Sequence, residues 1–430
     1  MATTEMHPDL SVIILANKEA DSLTELIPQI RTALMPLSIH YEILVVDHQA
    51  DDHTRRVAAD NHAVLLSALS NEYGVFLLTG IYHAAGEYII VMDADHTHPA
   101  NFICSLWQAR NQADIVIGSR YITGGQAKMP LLRRLFSKML NIVFSRGLDL
   151  RVKDMSSGFR LYKTSVVKNL VALSKDYDIL QEILVKALLE GYQICEIPFT
   201  YHSRKPDPAY RRVFRFGMAY LGTFARLWRL RNSIASADYD ARAYDALMPP
   251  QRYWQRQRYK HITGLLSNKG KCLDVGCGSS RIMEKLPPQS IGLDILMRKL
   301  RFARTYKCPT TQGSIFNLPF SNESFPCIIC SQVIEHVPRA NVLSELDRVL
   351  QPGGFLILGT PDYAKWQWVI IEWFYKMILP QSYADEHITH YTFRELNAEF
   401  VQLRGYQLEA VRYILRGELI LGLRKPVSDI

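Results

Sequence analysis

No window of the sequence reaches the roughly 18–20 apolar residues that a transmembrane helix needs. The amino terminus, MATTEMHPDL, carries acids but neither a basic segment nor an apolar core, so no secretory leader is expected. Cysteine is scarce: seven in 430 residues, an odd number at no framework spacing, which argues against a disulfide scaffold and fits a reducing compartment. The one C-x-x-C, Cys327 and Cys330, lies in a strand-like run where residues three apart face opposite ways, so a metal or redox pair is not expected there. Repeats and low-complexity tracts are missing, and a formal charge of +8 is small for the length. The expected address is the cytosol.

What is present is apolar content of 48% with 21% charged residues, the balance of a chain with sizeable cores, at a length that suits two domains. Short β-branched runs at 11–16, 41–46, 88–93 and 113–118 alternate with amphipathic stretches such as 21–35 and 74–85. The alternation restarts near 272 with CLDVG, SIGLD, CIICS and FLILGT. Strand–helix alternation predicts α/β architecture with parallel sheets in both halves. Weak periodicity over 232–250, ending in Pro-Pro, predicts a linker there between domains at 1–231 and 251–430.

In the first half, IIVMDADHTHP runs four apolar residues into Asp93 and Asp95. Ligands of open α/β sheets bind beyond the carboxyl ends of the strands, and residues two apart on extended chain face one way. Two carboxylates so aimed suit a hard divalent ion, Mg²⁺ or Mn²⁺, that also holds substrate phosphate. Such an ion would offset charge on a departing nucleoside diphosphate. The segments SVIILANKE, YEILVVDHQADDHT, VMDADHTHP, IGSRY, RRLFSK, DMSSGFRLY and EGYQICEIPFTY follow one another over about 200 positions. In this series the first half resembles the family 2 inverting glycosyltransferases of GT-A fold, and within them the polyprenyl-phosphate (dolichyl-phosphate) mannosyl- and glucosyltransferases. The resemblance implies that Glu19, Asp47 and Asp52 hold the donor nucleotide, that Asp93 and Asp95 hold the metal with Asp95 catalytic, and that Asp154 with Arg160 supports the pyrophosphate. The sequence departs from the family at Lys18, where an Asn is usual, and at His48, where a second Asp is usual.

A phosphate acceptor is already an anion at pH 7, so its enzyme must position it and offset repulsion, work suited to arginine. Arg120 follows a strand end, and Arg133, Arg134 and Ser137 share a helical turn. By resemblance, Arg120 and Arg133 are the acceptor-phosphate candidates. Between 204 and 231 stand eight Lys/Arg and one acid. Over 211–231 the arginines Arg211, Arg212, Arg215, Arg226 and Arg229 oppose Val213, Phe216, Tyr220, Leu221, Phe224, Leu227 and Trp228. A basic amphipathic helix of this kind can lie on an anionic membrane or pack on its own domain.

In the second half, LDVGCGSS is a strand ending in an acid and a G-x-G turn, and GLDILM brings a second strand-end acid, Asp294, twenty residues after Asp274. With QGSIFNLPFSNESF, CIICSQVIEHVP and LDRVLQPGGFLILGTP following, residues 271–425 resemble a class I S-adenosylmethionine-dependent methyltransferase of Rossmann-like fold. That implies Asp274, Gly276 and Gly278 at the methionine end of the cofactor, Asp294 at the ribose and Ser314 at the adenine. Ser314 stands where an acid is usual, and Pro326 where the family has Asp. Direct displacement from a sulfonium asks for orientation and, with a hydroxyl acceptor, a base. His336 is the first candidate, with His387 and His390 as others. The basic, aromatic stretch RYWQRQRYK at 252–260 is expected as a helix over the cofactor pocket, and no nucleic-acid partner is expected. The aromatic-rich WQWVIIEWFYKMIL at 366–379 is expected as a substrate cover or a packed helix.

Together these features predict a bifunctional enzyme: a nucleotide-sugar:polyprenyl-phosphate transferase at the cytosolic membrane face, joined to a methyltransferase acting on a glycan, lipid or small precursor. Two other readings stay open, a transferase with a soluble acceptor and a membrane-associated scaffold with an active methyltransferase domain.

Overall fold

The apolar runs that stop at acids form the inner strands of two sheets, and their burial explains their composition. Strand β1 (Leu10–Leu15) is buried along its whole length, as a strand covered on both faces must be. In the computed structural model, which describes residues 7–202, 210–245, 249–266, 270–339, 341–378 and 387–427, the chain divides into two units. One comprises 1–188 with 192–231, the other 189–191 with 232–430.

The first unit adds β2 (Tyr41–Asp47), β3 (Val64–Ser67), β4 (Tyr88–Asp93), β5 (Ile115–Ser119), β6 (Gln126–Lys128), β7 (Arg160–Lys163), β8 (Ile194–Pro198) and β9 (Thr200–His202). Its main sheet runs β3-β2-β1-β4-β7-β5-β8, with β6 and β9 paired separately. Leu15 pairs with both Val46 and Asp93, so Asp47 and Asp93 finish at the same carboxyl edge. The helix Ala20–Leu34 buries Leu23, Leu26, Ile27, Ile30 and Leu34, the three-and-four spacing of a helix laid on a sheet.

The sheet is not wholly parallel: β7 runs antiparallel between β4 and β5. Alternation in the sequence does not announce this strand, because it has only four residues and opens with a charge. Arg160 is fully buried. Its Nε donates to the Ser157 carbonyl at 2.7 Å, Nη2 to Met155 at 2.7 Å and Nη1 to Leu180 at 2.8 Å. The guanidinium is thus a clamp on the turn before β7.

The second unit contains β10 (Cys272–Val275), β11 (Ile291–Asp294), β12 (Thr310–Gln312), β13 (Phe325–Ser331), β14 (Leu350–Pro361), β15 (Gln407–Ile414) and β16 (Glu418–Arg424) in the order β12-β11-β10-β13-β14-β16-β15. Here too the expected parallel sheet gains an antiparallel edge, since β16 pairs antiparallel with β14 and with β15. Cys327 and Cys330 pack into different apolar clusters on the two faces of this sheet. Pro326, which cannot donate to a ladder, falls at the register shift between β13 and β14.

The stretch expected as a linker is largely structured. Residues Tyr239–Asp245 and Pro249–Thr263 are helices, and both belong to the second unit.

Replacing Arg160 with Met leaves three buried carbonyls without their donor. At about 1–3 kcal/mol per unsatisfied group, the first unit is expected to lose at least about 3 kcal/mol of stability. Urea denaturation followed by tryptophan fluorescence checks this.

Candidate active sites

At the carboxyl edge of the first sheet, Asp93 closes β4 and the chain turns through Asp95 to His98. The Asp93 N–H donates to His98 Nδ1 at 2.9 Å. The His98 ring is buried and stacks on Phe159 at 4.7 Å, and burial pushes its pKa down to about 4. It is therefore a neutral acceptor that fixes the turn. Thr97 holds Asp95 Oδ1 through its N–H at 3.0 Å and its hydroxyl at 2.5 Å. The Asp93 side chain is 36% exposed, yet enclosure by protein, with the charges of Asp95 and Glu19 adding to it, pushes its pKa up to about 7. Two carboxylates two residues apart at the carboxyl edge of the sheet, with Glu19 acting on the first of them, fit a divalent metal, and Asp93 with Asp95 would hold it.

Asp47 is 2% exposed. Its carboxylate accepts from the N–H groups of Lys18 at 3.5 Å and Gln49 at 3.0 Å, which shapes the loops at the ends of β1 and β2. Lys18 adopts φ 60°, a left-handed conformation that Asn tolerates best among larger residues. That accounts for the usual Asn in physical terms. His48 Nδ1 bonds the Ala68 carbonyl at 2.9 Å, so it ties the loop down. Glu19 stands at the start of the helix Ala20–Leu34. Asp52 is exposed in the first turn of the helix Asp52–Asp60, whose cap is Asp51, accepting from Thr54 N–H at 2.7 Å.

Arg120 and Asp154, assigned above to two different phosphates, are each other's partners. Asp154 accepts from Arg120 Nε and Nη2 at 2.7 Å each and from its backbone N–H at 2.9 Å. Ser156 Oγ takes a further bond from Nη2 at 2.7 Å. Asn141, 2% exposed on the helix Leu131–Gly147, accepts from Met155 N–H at 2.7 Å and donates to Ser156 Oγ at 2.9 Å. Tyr121 donates to Ser137 on the same helix at 2.8 Å. The 154–157 loop and this helix are one hydrogen-bonded assembly. Arg133 and Arg134 are exposed at its start. The charge of Arg133 acts on the Tyr177 and Tyr201 phenols, as do those of Asp93 and Asp95, so Arg133 stands at the rim of the acidic site.

That helix carries a feature the sequence reading passed over. Leu131, Leu132, Leu135, Phe136, Met139, Ile142 and Val143 are all exposed, at 42% to 61%, along one stripe. By contrast, the basic helix Tyr210–Arg231 spends much of its described face on its own unit. Phe224 and Tyr220 pack against Phe144, Arg226 bonds Ser174 and Glu182, and Arg231 is buried. Leu221 and Trp228 are exposed, while the side chains of Arg211, Arg212, Val213, Arg215 and Phe216 lie outside the described residues.

The second site is a cavity of about 430 Å³ at the carboxyl edge of the second sheet. Asp274, the last residue but one of β10, is 4% exposed, and its Oδ2 has no hydrogen-bond partner among the described residues. Burial, with Asp294 adding to it, pushes Asp274 up to about 8. The turn that follows needs glycine: Gly276 has φ 69°, and a Cβ there would lie 2.2 Å from Val333. Asp294 is drawn under the turn, accepting from Gly278 N–H at 2.9 Å and Leu296 N–H at 2.8 Å. An orphaned carboxylate oxygen beside an open backbone cradle fits a ligand with an ammonium group, as S-adenosylmethionine has. Asp274, Gly276, Gly278, Asp294 and Ser314 all line the cavity.

The helix Pro249–Thr263 contributes Trp254 and Arg258 to the cavity wall, and the helix Trp366–Ile378 contributes Trp368 and Ile371. Asp240, from the supposed linker, bonds Ser279 Oγ at 3.2 Å and Lys299 Nζ at 3.2 Å. Against the cost of burial, the Lys299 ammonium holds its carboxyl below the ordinary range. Arg258 pairs with fully buried Glu418 through two bonds, at 2.7 and 3.0 Å. Of the candidate histidines, His336 and His387 come together, ring centroids 4.9 Å apart, and both line the cavity. His390 is exposed and stacks on Tyr363.

Residues 11–171 match the model of glycosyl transferase family 2, and residues 273–358 that of a methyltransferase domain. The chain thus carries a family 2 glycosyltransferase domain of GT-A type followed by a Rossmann-like methyltransferase domain. A dolichol-phosphate mannosyltransferase of Pyrococcus furiosus is 36% identical over 204 residues, 45% of this chain and 57% of that protein. The low-salt glycan biosynthesis hexosyltransferase Agl6 of Haloferax volcanii is 28% identical over 238 residues, 53% of each. The chain therefore spans little more than half the length of these relatives. Among solved structures, glucosyl-3-phosphoglycerate synthase from Mycobacterium tuberculosis, with Mn²⁺, UDP and its product, aligns at 15% identity and TM-score 0.41, over 51% of this chain and 80% of that one. A SAM-dependent methyltransferase from Thermotoga maritima aligns at 18% and 0.34, over 44% and 98%. No helix among the described residues is long and apolar enough to cross a membrane.

Asp274 and Glu335, the latter also pushed by burial to about 8, make the second unit sensitive to pH. Both have folded pKa values above their unfolded ones, so the folded state holds more protons and stability falls as pH rises towards 8. Without cofactor or metal, the melting temperature is expected to be lower at pH 8 than at pH 6.5, by about 2–4 °C per kcal/mol lost. Saturating S-adenosylmethionine, by pairing Asp274, is expected to shrink that difference in differential scanning fluorimetry.

Proposed function

We propose that the first domain transfers a hexose, with inversion, from a nucleoside-diphosphate sugar to a polyprenyl phosphate, and that the second transfers methyl from S-adenosylmethionine to a glycan, lipid or small precursor. Asp93 and Asp95 hold Mg²⁺ or Mn²⁺, which offsets charge on the departing diphosphate. Asp47, Asp52 and Glu19 serve the nucleotide. Because Arg120 is paired with Asp154, its part is to fix the loop beneath the pyrophosphate and to shift to phosphate only if that pair opens. Arg133 is the acceptor-phosphate residue.

The observation that carries this reading is the exposed apolar stripe of the helix Leu131–Gly147, whose first turn also carries Arg133 and Arg134. An exposed apolar patch rimmed by charge marks an interaction surface, and here it would rest in the headgroup region and present a lipid phosphate to the metal site. The curated name of the Pyrococcus relative, a dolichol-phosphate mannosyltransferase, supports the same acceptor class. The helix Tyr210–Arg231 would add basic charge at the same membrane surface. The domains divide near 231, with the segment after it belonging to the methyltransferase side, and the protein sits on the cytosolic membrane face.

Nucleoside diphosphate release from UDP- and GDP-sugars is expected to require both Mn²⁺ or Mg²⁺ and a short-chain polyprenyl phosphate, and to fall at least about 100-fold in Asp95→Asn. Release with a soluble acceptor alone would favour the soluble-acceptor reading, and no release with any donor would favour the scaffold. In flotation assays, Leu135→Glu with Met139→Glu is expected to weaken binding to anionic vesicles at least about tenfold. Equal binding by this variant would remove the helix from the membrane contact.

A further inference from the structure

Glu335 is a carboxyl group with no part in the methyl-donor site described above. It lies in the turn Ile334–His336 after β13 and is fully buried. Thr360 donates to its Oε2 at 3.1 Å, and its Oε1 has no hydrogen-bond partner among the described residues. Its backbone carbonyl accepts from Ile388 N–H at 2.8 Å and Thr389 N–H at 3.0 Å. Those two bonds staple the segment carrying His387 against the turn carrying His336. One ligand atom from each of Glu335, His336 and His387 then falls within 4.8 Å of the others.

We propose that Glu335, His336 and His387 form a site for a divalent transition metal of the Zn²⁺ type in the wall of the second cavity. Two imidazoles and one carboxylate are the donor set such ions take, with three protein ligands leaving a coordination position open. At the outer limit of the spacing, the centre of the triangle lies about 2.8 Å from each atom, against roughly 2.0–2.2 Å in bound zinc sites. Side-chain shifts of under about 1 Å close that gap. The outer contacts are those of a metal site too: Tyr363 Oη bonds His387 Nδ1 at 2.6 Å, Glu372 stands 3.5 Å from the same nitrogen, and Thr360 fixes the carboxylate. Such partners orient ligands and set their basicity.

The catalytic consequence rests on the methyltransferase reading. The open position faces a cavity lined by His336 and His387, and it selects a hydroxyl acceptor. Placed against the ion, the hydroxyl loses its proton to solvent, and its oxygen attacks the methyl carbon of the sulfonium donor. The C–S bond breaks, its electron pair stays on sulfur, and the donor leaves as a neutral thioether. Nothing is oxidised or reduced.

The test uses the full chain carrying Asp93→Asn and Asp95→Asn, so that the first site does not report. Stripped with chelator and titrated with Zn²⁺, it is expected to bind one ion, and Co²⁺ is expected to give visible absorption of a tetrahedral or five-coordinate site. Glu335→Gln and His387→Gln are each expected to weaken binding at least about tenfold, with the fold checked by thermal melting. S-adenosylmethionine binding, measured on the same samples by calorimetry, separates the two readings. Zinc bound without S-adenosylmethionine supports the metal site and removes the methyltransferase reading. Failure to hold zinc, or unchanged affinity in both variants, overturns the metal site whether or not the methyl donor binds. Methyl transfer to a hydroxyl at full rate in chelator also overturns it.

Discussion

Both domains depend on carboxylates placed at the carboxyl ends of inner strands, where the surrounding sheet denies them full solvation. A strand covered on both faces must be apolar almost to its end, and β4 and β10 obey that rule until Asp93 and Asp274. An acid at that position is costly unless something neutralises it. The cost shows in the upward displacement of Asp93 to about 7 and Asp274 to about 8. Much of the surrounding architecture holds these groups where they are. His98 fixes the turn after β4 through a backbone hydrogen bond, and Asp294 fixes the glycine turn after β10. The loops are built to keep the acids in place rather than to relieve them.

The Arg120–Asp154 pair shows how the first domain limits its own positive charge. A bidentate guanidinium–carboxylate pair is the strongest form of such a contact, and Asp154 is wholly buried within it. With Asn141 and Ser156 it joins the loop after 153 to the helix Leu131–Gly147. The helix that carries the exposed apolar stripe is thus tied to the 154–157 loop by a short chain of hydrogen bonds. Arg133, at the head of the same helix, keeps its charge at the rim, near the phenols of Tyr177 and Tyr201.

The inner strands, their terminal acids and the glycine turn were legible in the sequence because each rests on a local pattern: an apolar run, an abrupt acid, a required φ. Helices over 20–34 and 73–83 followed from apolar spacing. What escaped was long-range. The antiparallel strand β7 has only four residues and opens with a buried arginine, so no alternation marks it. Asp240 is invisible in a stretch with weak periodicity, because its anchors, Ser279 and Lys299, lie about 40 and 60 residues away. The stripe on the helix Leu131–Gly147 reads as an ordinary amphipathic face, and only its exposure separates it from a core-facing one. The sequence favoured the Tyr210–Arg231 helix for membrane contact on charge, yet part of its apolar side is used against Phe144. Glu335 sat unnoticed beside His336, since burial of a single acid leaves no periodic trace.

Charge pairing divides the enclosed acids of this chain into two groups. Glu182 is drawn down to about 2: burial opposes the shift, and hydrogen bonds from Lys186 and Ser174 outweigh it. Asp240 is drawn down by Lys299 against the same opposition, and Glu418 is gripped by Arg258. Each of these has its cation within the fold and so contributes to the scaffold. Asp93, Asp274 and Glu335 move the other way, and Asp274 and Glu335 each keep an oxygen with no hydrogen-bond partner among the described residues. A fold that neutralises some of its recessed acids internally has the means to neutralise the rest. On the functions proposed above, the positive charge at these three acids would come from outside, as a metal at Asp93, an ammonium at Asp274 and a second metal at Glu335.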